Sequence, residues 1–128
     1  MVGAAAPAEL LTVGHGTLEA EAFSALLVAT GVEEIIDVRS FPGSRRHPHF
    51  GRDEMERWLP RAGVAYRWEK GLGGFRRARP DSANTALRHP SFRGYADYMS
   101  EPAFAEALDR VVGRAAVARV AVMCSEAL

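Results

Sequence analysis

Residues 10–38, LLTVGHGTLEAEAFSALLVATGVEEIIDV, decide the fold. The apolar run at residues 10–13 predicts a short β-strand. Thr17 is a suitable N-cap for a helix after this strand, and Gly31 is a natural stop for that helix. The apolar run at residues 34–38 predicts a second strand. A helix that connects two strands favours their parallel pairing.

The same alternation of strand and helix continues to the end of the chain. We predict helices at 53–61, 92–99 and 102–112, strands at 64–68 and 117–123, and a long loop at 69–90. Because helices separate the strands, we expect an α/β fold, a three-layer Rossmann-like sandwich around a mostly parallel sheet. The chain has no internal repeat and no interior linker, so we expect residues 1–128 to form one domain.

The composition of the 128 residues is typical of a globular protein. Hydrophobic residues make up 48% and charged residues 25% of the chain, which argues against disorder. A single cysteine excludes a disulfide framework and a cysteine-rich zinc module. The longest stretch without a charged residue, 22–32, is too short to span a bilayer, and the first residues lack a secretory pattern. We therefore expect a cytoplasmic protein that makes no membrane contact.

The net charge of zero conceals three segments that differ in charge. Residues 1–38 carry −6, residues 39–93 carry +8 and residues 94–128 carry −2 when histidine is counted as neutral. A basic centre of this kind produces a positive field that attracts anions such as nucleic acid. The alternative is that these charges form ordinary ion pairs after folding, and the sequence leaves both interpretations open.

Polar residues and glycines follow each predicted strand at its carboxyl end. In chain order they are His15; Asp37, Arg39 and Ser40; Gly73 and Gly74; and Cys124 and Glu126. In open α/β sheets, ligands bind beyond the carboxyl ends of the strands. The pattern therefore predicts a site at this edge of the sheet.

The chemistry of three of these residues suggests their roles. His15, between two glycines, is suited to act as an acid, a base or a phosphate donor, although a turn histidine bonded to its neighbours is an equal alternative. Asp37 lies two residues before Arg39, so it could hold the guanidinium while Arg39 presents a fork of donors to an anion. A purely structural ion pair is the competing interpretation.

The remaining candidates lie in loops or at the last strand. Arg45 and Arg46 form a basic loop that suits phosphate or nucleic acid, or is merely solvated. The amides of Gly73 and Gly74 could form an anion nest, but no Gly-Lys-Ser/Thr ending follows them, which argues against a nucleoside triphosphatase. Cys124 is a buried small hydrophobe or a nucleophile. No ligand spacing supports a metal site, and the sequence does not identify a cofactor.

Five stretches taken together resemble the family called domain of unknown function 488. They are TVGHG (12–16), DVRSFPGSRR (37–46), LGG (72–74), SFRGYADYM (91–99) and VMCSE (122–126). They occur in the family's order across nearly the whole chain. The resemblance implies a small bacterial or archaeal α/β domain, cytoplasmic, with its polar motif residues gathered at the strand ends.

The C-terminus departs from the pattern of the family that the chain resembles. That pattern continues into a Pro-x-x-Cys-His-Arg segment, a helix and a further strand, whereas this chain ends at Leu128. We therefore expect the C-terminal part of the family domain to be missing. The last predicted strand would then be left uncovered, which suggests a homodimer that covers it.

Two functions follow from these observations. In the first, the protein is an enzyme that acts on a phosphate-bearing substrate such as a nucleotide or nucleic acid. His15 and Asp37 transfer protons, Arg39 and Arg46 hold the anion, and Cys124 with Glu126 lines the floor of the site. In the second, the protein is a non-catalytic module that binds or regulates, and its basic loops contact nucleic acid or another anion.

Overall fold

The computed structural model describes residues 10–43, 45–74 and 76–124, and the chain forms four strands and four α-helices within them. The strands are β1 (Leu10–Gly14), β2 (Glu34–Asp37), β3 (Ala65–Trp68) and β4 (Val120–Cys124). The α-helices are α1 (Ala20–Ala29), α2 (Arg52–Arg61), α3 (Pro90–Tyr98) and α4 (Pro102–Ala115). Short 3₁₀ helices lie at Pro48–Phe50 and Lys70–Leu72. None of the helices in these ranges is long and apolar enough to cross a membrane.

The four strands form one parallel sheet in the order β1-β4-β2-β3. The last strand therefore lies between β1 and β2, and its residues Val120, Ala121 and Met123 are buried. The expectation that the last strand is uncovered was wrong, because the order of strands in the sheet differs from their order in the chain. An almost wholly apolar strand is typical of the interior of a parallel sheet. A homodimer was expected because it would cover this strand, and that reason no longer holds.

Helices pack against both faces of the sheet. On one face, α1 and α2 contribute Phe23 and Leu59 to a core cluster that also contains Ile35 of β2. On the other face, Val111 of α4 packs against Ile36, the next residue along β2. Successive side chains of a strand point to opposite faces, so the two clusters lie on opposite sides of the sheet.

The second face is covered only over its centre. Leu10 and Thr12 of the edge strand β1 are exposed there, as are Ala65 and Arg67 of the edge strand β3. One helix, α4, is too narrow to shield four strands, since a helix with its side chains is about 10–12 Å wide and strands lie about 4.8 Å apart. The α/β class and the parallel sheet are thus confirmed.

The start of α1 differs from the sequence prediction. The helix begins at Ala20, and Glu19 occupies the N-cap position without a side-chain hydrogen bond to the backbone. Thr17 therefore does not cap the helix. The predicted stop is confirmed, because Gly31 has a φ of 72°, a left-handed conformation in which glycine is the default residue.

The long loop between β3 and α3 is held by one buried carboxylate. Asp97 of α3 accepts hydrogen bonds from Ser82 Oγ at 2.6 Å, from Asn84 Nδ2 at 2.7 Å and from the Arg79 amide at 2.8 Å. The bonds from Ser82 and Asn84 are the main cause that lowers the pKa of Asp97 to about 2. The loop is irregular, as predicted, but its path is fixed by these bonds.

Gly94 of α3 allows the same loop to approach the helix closely. A Cβ on Gly94 would lie 2.0 Å from the carbonyl oxygen of Arg76 and 2.8 Å from the amide nitrogen of Ala78. These are backbone atoms, which cannot move aside to relieve the contact as the end of a flexible side chain could. The absence of a side chain at this position therefore lets residues 76–78 lie against α3.

We predict that Gly94→Ala lowers the free energy of unfolding by roughly 1–3 kcal/mol, because the added methyl overpacks a buried contact. Gly113→Ala is the matched control, since Gly113 is also inside a helix but has nothing within 4 Å of the position that a methyl would take. Alanine there should stabilise the protein by about 0.5–1 kcal/mol. Urea unfolding of the three proteins measures both changes, and equal effects of the two substitutions would contradict the close approach.

Candidate functional site

A cleft of about 500 Å³ opens at the carboxyl ends of the strands. Its polar lining consists of His15 after β1, Arg39 and Ser40 after β2, and Cys124 at the end of β4. The parallel order of the strands explains this convergence, because every strand ends at the same edge of the sheet. The structure thus brings together four of the residues that the sequence placed at the strand ends.

The rest of the cleft is apolar or lacks side chains. Val38, Phe41, Leu72 and Tyr95 supply the apolar lining, and Gly43 and Gly74 complete it. Tyr95 is fixed in place because its hydroxyl donates a hydrogen bond to the carbonyl of Leu72 at 3.1 Å. Phe41, by contrast, is 72% exposed at the cleft. The cleft therefore combines a polar group of residues with an apolar wall.

Asp37 lies beneath the cleft and is fully buried. Its Oδ1 accepts hydrogen bonds from the amide and Nε of Arg39, at 3.0 and 2.9 Å, and its Oδ2 accepts one from Arg39 Nη2 at 2.7 Å. The hydroxyl of Tyr66 donates a further bond to Oδ2. Four donors therefore occupy the carboxylate, and its position away from the cleft lining suits it to hold Arg39 rather than to exchange protons with a ligand.

Arg39 has one nitrogen that the described part of the chain leaves largely unused. Besides its bond to Asp37, Nη2 donates to the carbonyl of Phe50 at 2.7 Å. Among the described residues, Nη1 has a hydrogen-bond contact only with His15 Nε2, at 3.5 Å. That separation is long for a hydrogen bond. Nη1 is thus the part of the guanidinium that a ligand in the cleft can engage.

The His15 ring is held in a defined orientation and is 5% exposed. It stacks on Phe50 with the ring centroids 4.2 Å apart, and its Nδ1 lies 2.9 Å from the carbonyl oxygen of Gly16. A carbonyl only accepts hydrogen bonds, so Nδ1 carries the proton and Nε2 presents its lone pair. Burial lowers the pKa of His15, and the neighbouring Arg39 charge lowers it further. Both effects favour the neutral ring, which is the form able to accept a proton.

Cys124 is exposed at the end of β4. Its carbonyl accepts a hydrogen bond from the amide of His15 at 3.2 Å, which ties the end of β4 to the residue after β1. The interpretation of Cys124 as a buried hydrophobe was wrong, since the strand's burial ends at Met123. The thiol is among the groups that a ligand in the cleft would meet.

The two glycines after β3 have different roles. Gly73 packs against Ser40, since a Cβ there would lie 2.3 Å from the serine Oγ. The amide of Gly73 donates to the carbonyl of Lys70 at 3.0 Å, so it does not contribute to an anion nest. Gly74 lines the cleft, and no other described residue comes within 4 Å of the position that its Cβ would take.

Some of the arginines of the basic centre form ion pairs. Arginines on several elements pair with nearby acids: Arg52 with Glu56, Arg57 with Glu54, Arg67 with Glu34, and Arg79 with Glu101. Arg45 and Arg46 are exposed and are not among the residues that line the cleft.

Glu126 lies outside the described residues. Within those residues, no three His, Cys, Asp or Glu side chains are grouped to hold a metal ion.

Two further residues, Phe50 and Tyr66, support the site, although no sequence pattern places them in it. Phe50 lies under the His15 ring and gives its carbonyl to Arg39. Tyr66 donates a hydrogen bond to Asp37 from the neighbouring strand. Burial is the main cause that raises the pKa of the Tyr66 hydroxyl, and the bond to Asp37 is the second. Phe50 does not follow a strand, so the pattern of polar strand ends could not find it. Tyr66 lies within β3, and nothing in its local sequence distinguishes it from a tyrosine of the core.

The fold and the cleft define a class, the α/β proteins with a parallel sheet and a ligand-sized cleft at the carboxyl edge. Within that class, the model of the family described as domain of unknown function DUF488 matches residues 19–128. The chain belongs to this family. Comparisons with curated proteins and with solved structures find no match.

We predict that His15 titrates below its ordinary pKa of 6.5 and is the Nδ1-protonated tautomer when neutral. Just below pH 6.5, a larger fraction of His15 is then protonated in the unfolded chain than in the folded protein. The contribution of His15 to the stability of the fold is therefore present above that pH and is lost as the pH falls. Imidazole NMR measures both the pKa and the tautomer, and His15→Gln identifies the resonances. A pKa at or above 6.5, or a proton on Nε2 of the neutral ring, would contradict the geometry.

Proposed function

We propose that the protein is an enzyme that acts on a small phosphate-bearing substrate in the cleft at the carboxyl ends of β1, β2 and β4. The observation that carries the proposal is the meeting of His15 Nε2 with Arg39 Nη1, 3.5 Å apart, among the lining residues. A lone pair that can accept a proton and a cation that can hold an anion are thus adjacent. That combination suits general-base catalysis on an anionic substrate.

Arg39 would bind the phosphate. Its Nη1 donates to a phosphate oxygen in place of the long contact with His15, while Asp37 keeps the rest of the guanidinium fixed. Ser40, the next lining residue, offers a hydroxyl to the same oxygens. A donor that is already oriented loses little conformational freedom when the ligand arrives.

His15 would act as the general base. With Nδ1–H bonded to the carbonyl of Gly16, Nε2 takes a proton from water or from a substrate hydroxyl. Burial favours the neutral ring and so keeps the base in its active form near neutral pH. Cys124 lines the same cleft. Glu126 lies outside the described residues, and its presence in the site is expected only from the sequence.

The alternative is a non-catalytic module that binds nucleic acid or another anion through its basic loops. The ion pairs of Arg52, Arg57, Arg67 and Arg79 offset part of the positive charge that such a module would present. The exposed side chains of Arg45, Arg46 and Arg77 are among the observations in its favour. We also place the protein in the bacterial cytoplasm, because the family pattern implies that setting.

Calorimetric titration with inorganic phosphate and with glycerol phosphate tests the proposed binding. We expect binding that survives high salt and weakens roughly tenfold or more in Arg39→Lys, since lysine keeps the charge but loses the fixed fork of donors. Arg61→Lys, an exposed arginine outside the cleft, is the matched control and should bind as the wild type does. Urea unfolding of each variant verifies that it is folded.

The same proteins separate the enzyme from the binding module. Phosphorus NMR of a pool of phosphate monoesters should reveal conversion by the wild type, and His15→Gln should lower its rate by about 10²–10⁴-fold while phosphate binding persists. Binding that is erased by salt and by Arg45→Gln with Arg46→Gln would instead support the module. Absence of phosphate binding by the folded wild type would contradict the proposed enzyme.

A further inference from the structure

The cleft is divided into a buried polar part and an exposed apolar part. The side chain of Arg39 is 8% exposed. His15 as a whole residue is 5% exposed. Phe41, which lines the same cleft, is 72% exposed. An anionic group bound by Arg39 therefore lies deep, and whatever is attached to it passes an aromatic ring on the way to solvent.

The apolar part suits a flat group rather than a sugar alone. Val38, Leu72 and the ring of Tyr95 present carbon surface and few hydrogen-bonding groups, and the Tyr95 hydroxyl is already occupied by the carbonyl of Leu72. A hydroxyl-rich substituent would lose water there without gaining partners. An aromatic ring would gain contact with Phe41 and the aliphatic side chains.

The two glycines of the cleft leave space for such a group. Among the described residues, no atom is found within 4 Å of the position that a Cβ would take on Gly43 or on Gly74. The cleft volume, about 500 Å³, falls in the range of about 300–1,000 Å³ typical of sites for small molecules. A single nucleotide fits these dimensions, whereas an oligonucleotide would have to extend beyond them.

We propose that the ligand of this cleft is a mononucleotide, whose phosphate is held by Arg39 and Ser40 and whose base lies against Phe41. This assignment rests on the proposed function, since it takes the phosphate site from it and adds the chemistry of the group attached to the phosphate. It makes Phe41 a specificity-determining residue, because the aromatic contact is what distinguishes a nucleotide from other phosphate esters.

Calorimetric titration with a nucleoside monophosphate, ribose phosphate, the free nucleoside and inorganic phosphate tests the assignment. We expect the nucleoside monophosphate to bind roughly tenfold more tightly than ribose phosphate, the order of gain that base stacking on an aromatic side chain provides. Phe41→Ala should remove this difference, because it takes away the aromatic contact that only the nucleoside monophosphate makes. Phe92→Ala is the matched control, since Phe92 is 67% exposed but does not line the cleft.

A second pair of variants tests the space between the glycines. Gly74→Leu should abolish binding of the nucleoside monophosphate by filling the cleft, whereas Gly113→Leu, on the exposed surface of α4, should not. The positions are matched in that both have open space at the Cβ. Tight binding by Gly74→Leu would place the ligand elsewhere and overturn the assignment.

The outcomes separate this assignment from the proposed function. If ribose phosphate and the nucleoside monophosphate bind equally, and both depend on Arg39, the nucleotide assignment fails while the phosphate site stands. If no phosphate-bearing ligand binds, both fail. A short oligonucleotide that binds more tightly than the nucleoside monophosphate at high salt would also overturn the assignment, because it would identify a polymer as the ligand.

Discussion

The buried pair of Asp37 and Arg39 is the interaction on which the edge of the sheet depends. A carboxylate with no exposed surface needs a charge partner and hydrogen bonds, because burial of an isolated charge is very costly. Arg39 provides three of those bonds and Tyr66 the fourth. The same guanidinium reaches the carbonyl of Phe50 and the ring of His15. One ion pair thus links β2, β3 and the segments after β1 and before α2.

This pair also determines what the cleft can bind. Asp37 offsets most of the charge of Arg39 and occupies its Nε and Nη2 nitrogens, so a ligand meets one oriented nitrogen, Nη1, rather than a broad positive surface. Such a site favours a single anionic group over a polyanion, whose affinity depends on many cations acting together. The neighbouring His15 has its Nε2 lone pair directed at the same nitrogen. In the proposed enzyme, the group that binds the anion and the group that accepts the proton are therefore adjacent.

Much of this architecture is predictable from local sequence patterns, and the rest depends on contacts between distant segments. The apolar runs and the stop at Gly31 indicate the parallel α/β fold, and the polar residues after each strand indicate where the cleft lies. The central position of β4 is not encoded in chain order, which is why the last strand seemed uncovered. The support of Asp37 by Tyr66 crosses 29 residues of sequence. Cys124 is exposed because it ends its strand at the cleft, a fact that strand composition does not reveal.

Urea unfolding near neutral pH of four proteins tests the central claim most directly: the wild type, Asp37→Leu, Arg39→Met and the double variant. Each single substitution leaves its former partner buried and unpaired, so we expect each to cost about 3–5 kcal/mol. The double variant removes both charges, and its loss should be far smaller than the sum of the two. If the two losses simply add, Asp37 and Arg39 act independently, and the pair does not organise the edge of the sheet.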